Sequence, residues 1–181
     1  MEKSLPYIAS VLALLTFFKA IWEYTKAQKW KKLEFVANQM KEFNNDIEVK
    51  KAMQMLDYTN REIDLNGKKV IITDELLKSA LCPDLAGQNK DGFTVQEAQI
   101  RDIFDHFFEK LSIFNQYIST GLITVEDVRP YLIYWIEILG KDNNERKPKI
   151  LIHNIWKYWQ FFNYTDMVML LERFGYNTTT T

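Results

Sequence analysis

The chain has 181 residues, of which 47% are hydrophobic and 26% are charged, and its net charge at pH 7 is −1. This composition is typical of a folded chain and too apolar for a disordered one, and it supplies no positive field to attract a nucleic acid. The single cysteine, Cys82, excludes an internal disulfide framework and an all-thiolate metal site.

The N-terminal segment is apolar from Leu5 to Trp22, with Lys19 as its one charged residue. As a helix this run is about 27 Å long at about 1.5 Å per residue, against a hydrocarbon core of about 30 Å. Lys19 is close enough to the end to snorkel, and Trp22 and Tyr24 resemble an interfacial aromatic belt. The segment therefore predicts a transmembrane anchor over residues 1–25.

Two alternatives compete with the anchor. A cleaved signal peptide is disfavoured because the amino end has Lys3 against Glu2 and no small-x-small cleavage pattern follows the apolar run. A core helix is disfavoured because the apolar residues occupy the whole circumference of the helix.

A cluster of lysines follows the anchor, with Glu23 as the nearby opposing acid. The positive-inside bias places the chain after the anchor in the cytoplasm, so we expect a single-pass membrane protein with a cytoplasmic C-terminal domain. The same side chains are expected to contact anionic lipid. They are Lys26, Lys29, Lys31 and Lys32.

The helix of the anchor is expected to continue to Phe43, with a stripe that docks on the domain. The members of this stripe are Trp30, Leu33, Val36, Ala37, Met40 and Phe43. Asp46 is a plausible cap for a second helix. The one β signal is REIDL-NG-KKVIIT, in which Asn66-Gly67 predicts a hairpin with a type I′ turn. Thr73 or Asp74 caps a short helix, and the polar stretch at 83–92 predicts a mobile loop.

The central stretch, from Thr94 to Gly140, predicts two amphipathic helices joined by a tight turn. Thr94 and Glu97 have capping-box spacing, and Thr120-Gly121 ends the first helix before Thr124 starts the second. Facing apolar stripes favour an antiparallel pair. The first stripe is Ile100, Ile103, Phe104, Phe107, Phe108, Leu111 and Phe114; the second is Val128, Tyr131, Leu132, Trp135, Ile138 and Leu139.

The charged segment KDNNERKPK at 141–149 is expected to be a solvated connector. The helix after it is apolar nearly all round, since Trp156 and Phe161 fall outside its main stripe. Such a helix is either buried on two sides or presents an aromatic patch to a partner. We take Trp156, Trp159 and Phe161 as the candidate partner-binding residues.

One polar constellation, Asp102, Asp105, His106 and Glu109, clusters on the face opposite the phenylalanine stripe. It is typical of a solvated face, and as a metal site it lacks the second Glu-x-x-His of a di-iron bundle. The turn around Gly121 has the outline of an EF-hand without enough oxygen ligands for calcium. Common hydrolase and nucleotide signatures are absent from the sequence.

The segments IRDIFDHFFEKLSIFNQYISTGLITVEDVRPYLIYWI, WKKLEFVANQM and AMQMLDYTNREIDL resemble a group of small uncharacterised bacterial proteins. The resemblance implies one N-terminal membrane helix and a cytosolic helical domain, and it carries no catalytic residue. Some relatives in that group bear a phage abortive-infection label.

These observations predict a mainly α fold: a transmembrane anchor at 1–25, a cytosolic helical bundle with one small β-hairpin at 26–176, and a disordered tail at 177–181. We expect a membrane-anchored interaction or scaffold module, a subunit or regulator of a membrane-associated complex. Its partners would be membrane lipid and a protein or a second copy of the chain, with no nucleic acid, cofactor, metal or enzyme activity. The alternatives are a membrane-associated phage-defence effector and an enzyme that uses the polar face of the first central helix.

Overall fold

The computed structural model describes residues 5–83 and 92–178, with side chains from residue 12 onward. Within these residues the fold is mainly helical, with seven helices and one two-stranded antiparallel hairpin, as predicted. In chain order the elements are α1 Leu5–Asn45, α2 Ile47–Asp57, β1 Arg61–Leu65, β2 Lys68–Ile72, α3 Asp74–Ala80, α4 Val95–Ser119, α5 Val125–Gly140, α6 Lys149–Phe161 and α7 Thr165–Arg173.

The chain divides into two compact units, Met1–Gln39 and Met40–Thr181. The predicted anchor falls in the first unit. Most of the loop predicted at 83–92 and the end of the tail predicted at 177–181 lie outside the described residues.

The first unit contains most of α1, a helix without interruption. Its large hydrophobic side chains from Leu12 to Leu33 are exposed, and Trp30 and Leu33 of the predicted docking stripe are 66% and 45% exposed, whereas Val36 of the same stripe is buried. In the part of the chain that the structure describes, no helix offers a stretch both long and apolar enough to cross a membrane.

The second unit is built around α4, against which α2, α3 and α7 pack. The predicted phenylalanine stripe is confirmed: all seven members, from Ile100 to Phe114, are buried. Phe43, at the end of the predicted docking stripe, is also buried, with its ring centroid 6.1 Å from Phe107 and 5.7 Å from Phe114. Aromatic rings therefore form the centre of this core.

The second predicted stripe is only partly buried. Val128, Leu132 and Leu139 of α5 are fully buried, whereas Tyr131 is 50% exposed and Trp135 is half-buried. The reason is that α5 packs mainly against α6 and α7, and it is α7 that covers α4. The expected direct pairing of the two central helices is replaced by a three-helix arrangement.

The predicted helix starts are confirmed by their hydrogen bonds. The amide of Glu97 donates to Thr94 Oγ1 (3.2 Å), and the amide of Thr94 donates to Glu97 Oε2 (2.8 Å), which completes the capping box of α4. Asp46 Oδ1 caps α2 by accepting from the amides of Glu48 and Val49. These bonds satisfy amides that the helix itself leaves unpaired.

The hairpin turn is also confirmed. Asn66 and Gly67 have φ values of 51° and 85°, the left-handed pair that a type I′ turn requires. The register pairs Ile63 with Val70, and Ile63 and Leu65 are buried while the opposite face of β1 is exposed.

Candidate functional site

Among the residues that the structure describes, the longest run of exposed apolar side chains lies on α1 in the first unit. Neighbouring residues Leu14 and Leu15 are 56% and 60% exposed, and Phe17 and Phe18 are 58% and 63% exposed. Successive helical residues point about 100° apart, so, together with Leu12, Ile21 and Trp22, this exposure extends over most of the circumference. An apolar surface of this kind marks a region that another phase or molecule covers.

The predicted membrane-surface lysines follow that surface on the same helix. Lys26, Lys29 and Lys31 are exposed, and Lys32 is half-buried. Lys26 Nζ lies 5.2 Å from the ring centroid of Trp22, a cation–π distance. The aromatic and basic side chains that an interface attracts are thus adjacent here.

Two of the three predicted partner-binding residues belong to the core of the second unit. Trp159 is fully buried, with its ring centroid 5.3 Å from that of Phe108. Trp156 is 6% exposed, and its Nε1 donates to the carbonyl oxygen of Leu139 (2.7 Å). The helix α6 is buried on two sides because it packs against α3, α5 and α7. Of the predicted set, Phe161 alone is exposed, at 64%.

Phe161 stands at the edge of an aromatic cluster around Arg101. The guanidinium carbon of Arg101 lies 4.2, 4.7 and 5.2 Å from the ring centroids of Phe93, Tyr158 and Phe162. Arg101 Nη1 also donates to the carbonyl oxygen of Ala80 (2.7 Å). The interior of this cluster is therefore already occupied by a cation of the chain, and Phe161 is its outer tip.

The predicted polar face of α4 separates into two internal pairings and two solvated acids. Asp105 Oδ1 accepts from the hydroxyls of Tyr158 (2.6 Å) and Tyr164 (2.8 Å). Burial, reinforced by the bond to Asp105, raises the pKa of both tyrosines, so both remain hydrogen-bond donors at neutral pH. His106 Nε2 donates to Asp46 Oδ2 (2.7 Å), while Asp102 and Glu109 are exposed. The four groups do not converge on one point.

Sequence reasoning missed a surface where α2 meets α5. Tyr58 and Tyr134 are 49% and 38% exposed, and a cavity of about 170 Å³ lies between Met53, Tyr58 and Trp135. The hydroxyl of Tyr134 donates to Asp57 Oδ1. We call these four side chains, Met53, Tyr58, Tyr134 and Trp135, the α2–α5 surface. Its signal in the sequence was the excess of aromatic residues on α5 beyond one stripe.

The charged connector at 141–149 is not simply solvated. The side chain of Lys147 has no exposed area, and its Nζ donates to Asp74 Oδ1 (2.7 Å) and to the carbonyl oxygen of Tyr58 (3.0 Å). Asn144 Oδ1 accepts from the amide of Lys147 (2.8 Å) and holds the loop in shape. This ion pair fixes the loop to the start of α3 and the end of α2.

A comparison of the chain with known proteins finds no matching family model, no matching curated protein and no matching solved structure. The resemblance to a group of bacterial membrane-anchored proteins therefore stays a prediction.

Proposed function

We propose that the chain is a membrane-anchored helical interaction module, a subunit or regulator of a membrane-associated complex, with its second unit in the cytoplasm. The observation that carries the proposal is the exposure of large apolar side chains over most of the circumference of α1 between Leu12 and Trp22. Leaving this surface in water is unfavourable in proportion to its area, and a lipid phase is an environment that covers a helix on all sides. The apolar sequence from Leu5 to Trp22, in which Lys19 is the one charged residue, supports the same conclusion.

Vesicle flotation of the full-length chain tests the anchor. We expect the wild-type protein to float with phosphatidylcholine vesicles and to resist extraction at alkaline pH. The double variant Leu12→Lys/Leu14→Lys should remain at the bottom of the gradient, because each lysine near the centre of a span costs about 2.5–3.5 kcal/mol.

The matched control places the same charges on the second unit, as Ile71→Lys/Ile150→Lys. These side chains are 60% and 53% exposed, so the control should float like the wild type. Extraction of the wild-type chain by alkali, or equal flotation of the anchor variant, would contradict the proposal.

The α2–α5 surface supports the interaction part of the proposal. Tyrosine, tryptophan and arginine dominate binding hot spots, and Arg61 and Arg146 border this surface, one over the ring of Tyr58 and the other 3.8 Å from Asp57. Phe161 is the competing contact residue. The α2–α5 surface and Phe161 both belong to the second unit, which an anchor would hold close to other membrane components.

Affinity purification of the full-length chain in mild detergent separates these two contact sites. We expect Tyr58→Ala/Tyr134→Ala to lose a protein that co-purifies stoichiometrically with the wild type, and Phe161→Ala to keep it. All substituted side chains are at least 38% exposed, so each variant serves as the folding control of the other. Loss with Phe161→Ala alone would move the contact to α6, and recovery of the wild type without any partner would refute the complex-subunit proposal.

A phage-defence effector that perturbs the bilayer is the second candidate, and the apolar exposure of α1 between Leu12 and Trp22 favours it as well. A helix without a polar face can associate with copies of itself in lipid. Release of an entrapped dye from vesicles by the full-length chain would support this candidate, and tight vesicles at the same protein density would exclude it.

A further inference from the structure

The lysines of α1 point in different directions around the helix. At about 100° per residue, Lys29, Lys31 and Lys32 lie about 300°, 140° and 240° from Lys26. The widest gap between these lysines runs from Lys26 to Lys31. Trp30, which is 66% exposed, lies in this gap, about 40° from Lys26. A helix that lies flat on a membrane gathers its charges on one face. This arrangement instead encircles the helix.

These lysines form a band, and three of them, Lys26, Lys29 and Lys31, have no acidic partner among the described residues. No acid occurs between Glu23 and Glu34, and the carboxylate of Glu23 is already paired with Lys19 at 3.7 Å. Among residues 12–83 and 92–178, no carboxylate lies within ion-pair distance of Lys26, Lys29 or Lys31. Negative charge from another molecule is the natural complement of this band.

The height of the band matches a layer of lipid headgroups. Lys26 follows Trp22 by one helical turn, and the band from Lys26 to Lys32 is about 9 Å tall at about 1.5 Å per residue. The headgroup region of one leaflet is about 5–8 Å thick. The exposed apolar side chains from Leu12 to Trp22 precede the band, and Trp30 is the one exposed large apolar side chain within it.

We propose that Lys26, Lys29 and Lys31, with Lys32, form a collar that binds anionic phospholipid headgroups on all sides of α1. This inference rests on the proposed membrane anchor and adds a lipid specificity to it. The occupant is an anionic lipid because a ring of headgroups can meet charges that point in all directions, whereas one protein or nucleic-acid surface meets a helix from one side. Each lysine gains electrostatic attraction within a Debye length of the anionic surface.

Electron spin resonance of trace spin-labelled lipids in proteoliposomes tests the collar. The full-length chain is reconstituted in phosphatidylcholine, and the motionally restricted fraction is measured for labelled phosphatidylglycerol and labelled phosphatidylcholine. We expect the association constant of phosphatidylglycerol to exceed that of phosphatidylcholine by about threefold or more. The ratio of the two association constants should fall toward one in 1 M salt, where the Debye length is about 3 Å. It should also fall toward one in the variant Lys26→Gln/Lys29→Gln/Lys31→Gln.

The matched control removes the same charge from exposed lysines of the second unit, as Lys50→Gln/Lys68→Gln/Lys157→Gln, and should keep the full preference. Equal association of both lipids with the wild type, or a preference that survives in the collar variant, overturns the collar and leaves the anchor standing. If neither lipid shows a restricted fraction and the chain does not float with vesicles, both the collar and the anchor fail.

Discussion

At the scale of single residues, the second unit contains an ion pair with a fully buried ammonium group, that of Lys147. Its partner Asp74 lies in the first turn of α3, where a negative charge also suits the helix dipole. Removing one member of a buried pair leaves the other uncompensated, which costs more than the pair contributes.

We expect Lys147→Met to lower the free energy of unfolding by about 3–5 kcal/mol, because the methionine keeps the volume of the lysine but leaves Asp74 unpaired. Thermal or urea unfolding in mild detergent measures the loss. The control Lys149→Met removes a lysine that is 64% exposed and paired with Asp142, and should cost less than about 1 kcal/mol. Equal losses of unfolding free energy in the two variants would show that the burial of Lys147 does not raise the cost of breaking its ion pair.

Asp46 provides a second test at this scale, through pH. Burial alone would raise the pKa of Asp46, but the hydrogen bond from His106 and the amides of Val49 and Glu48 outweigh burial and hold the pKa below its ordinary value of 3.8. A carboxyl group with a lowered pKa in the folded state stabilises the fold above its unfolded pKa, and this stabilisation is lost as pH falls through the folded value.

We therefore expect Asp46→Asn to lower the melting temperature at pH 6, and this deficit to shrink as the pH falls below about 4. Asparagine keeps an N-cap acceptor, so the variant isolates the charge. Asp102→Asn, at an exposed acid of α4, should give a melting curve against pH that parallels the wild type. A deficit for Asp46→Asn that stays constant down to pH 3 would contradict the assignment.

At the scale of elements, the sequence predicts the buried residues of a helix best where the helix packs through a single apolar stripe. The apolar stripe and the capping box of α4 depend on the spacing of residues along the sequence, so the sequence alone predicts them. The partners of α5 and α6 depend on the position of α7, a nine-residue helix that spacing cannot locate. This is why the sequence predicts Trp156 and Trp159 as contact residues and does not reveal the α2–α5 surface.

Gly140 shows in one residue what spacing leaves out. The sequence predicts a stop signal there, and α5 does end at Gly140, but the residue is helical and has no positive φ. Its lack of a side chain serves packing instead, because a Cβ there would lie 2.5 Å from Cγ and 2.8 Å from Cβ of Tyr176. The C-terminal segment thus lies directly against the end of α5.

We expect Gly140→Ala to destabilise the second unit by about 1–3 kcal/mol, the usual cost of overpacking. In the background of Tyr176→Gly the clash is removed, and the same substitution should cost nothing or stabilise, since alanine is favoured over glycine in helices by about 1 kcal/mol. A double-mutant cycle of unfolding free energies measures this coupling. If Gly140→Ala costs the same in both backgrounds, Tyr176 is not the cause.

At the scale of the whole molecule, the two units differ in what surrounds their apolar side chains. The second unit buries a cluster of aromatic residues that includes Phe104, Phe107 and Phe108, whereas α1 exposes leucine, phenylalanine and tryptophan side chains to at least 45% from Leu12 to Trp22. A monomer in water rarely exposes a continuous apolar patch of this kind. The behaviour of the full chain should therefore be set by α1, although most of its mass lies in the second unit.

We expect the full-length chain to form large assemblies in buffer without detergent, and to be converted to discrete particles by detergent above its critical micelle concentration. Size-exclusion chromatography with light scattering distinguishes the two states. The variant Leu14→Glu/Phe18→Glu should shift the balance toward small species without detergent, because two charges on one face of α1 disfavour contact between copies. The control Ile71→Glu/Ile150→Glu should not, since these residues lie singly on the second unit. A wild-type chain that elutes without detergent as a monomer of 21.5 kDa would mean that the apolar side chains of α1 are covered within the protein, and the membrane anchor would then lose its main support.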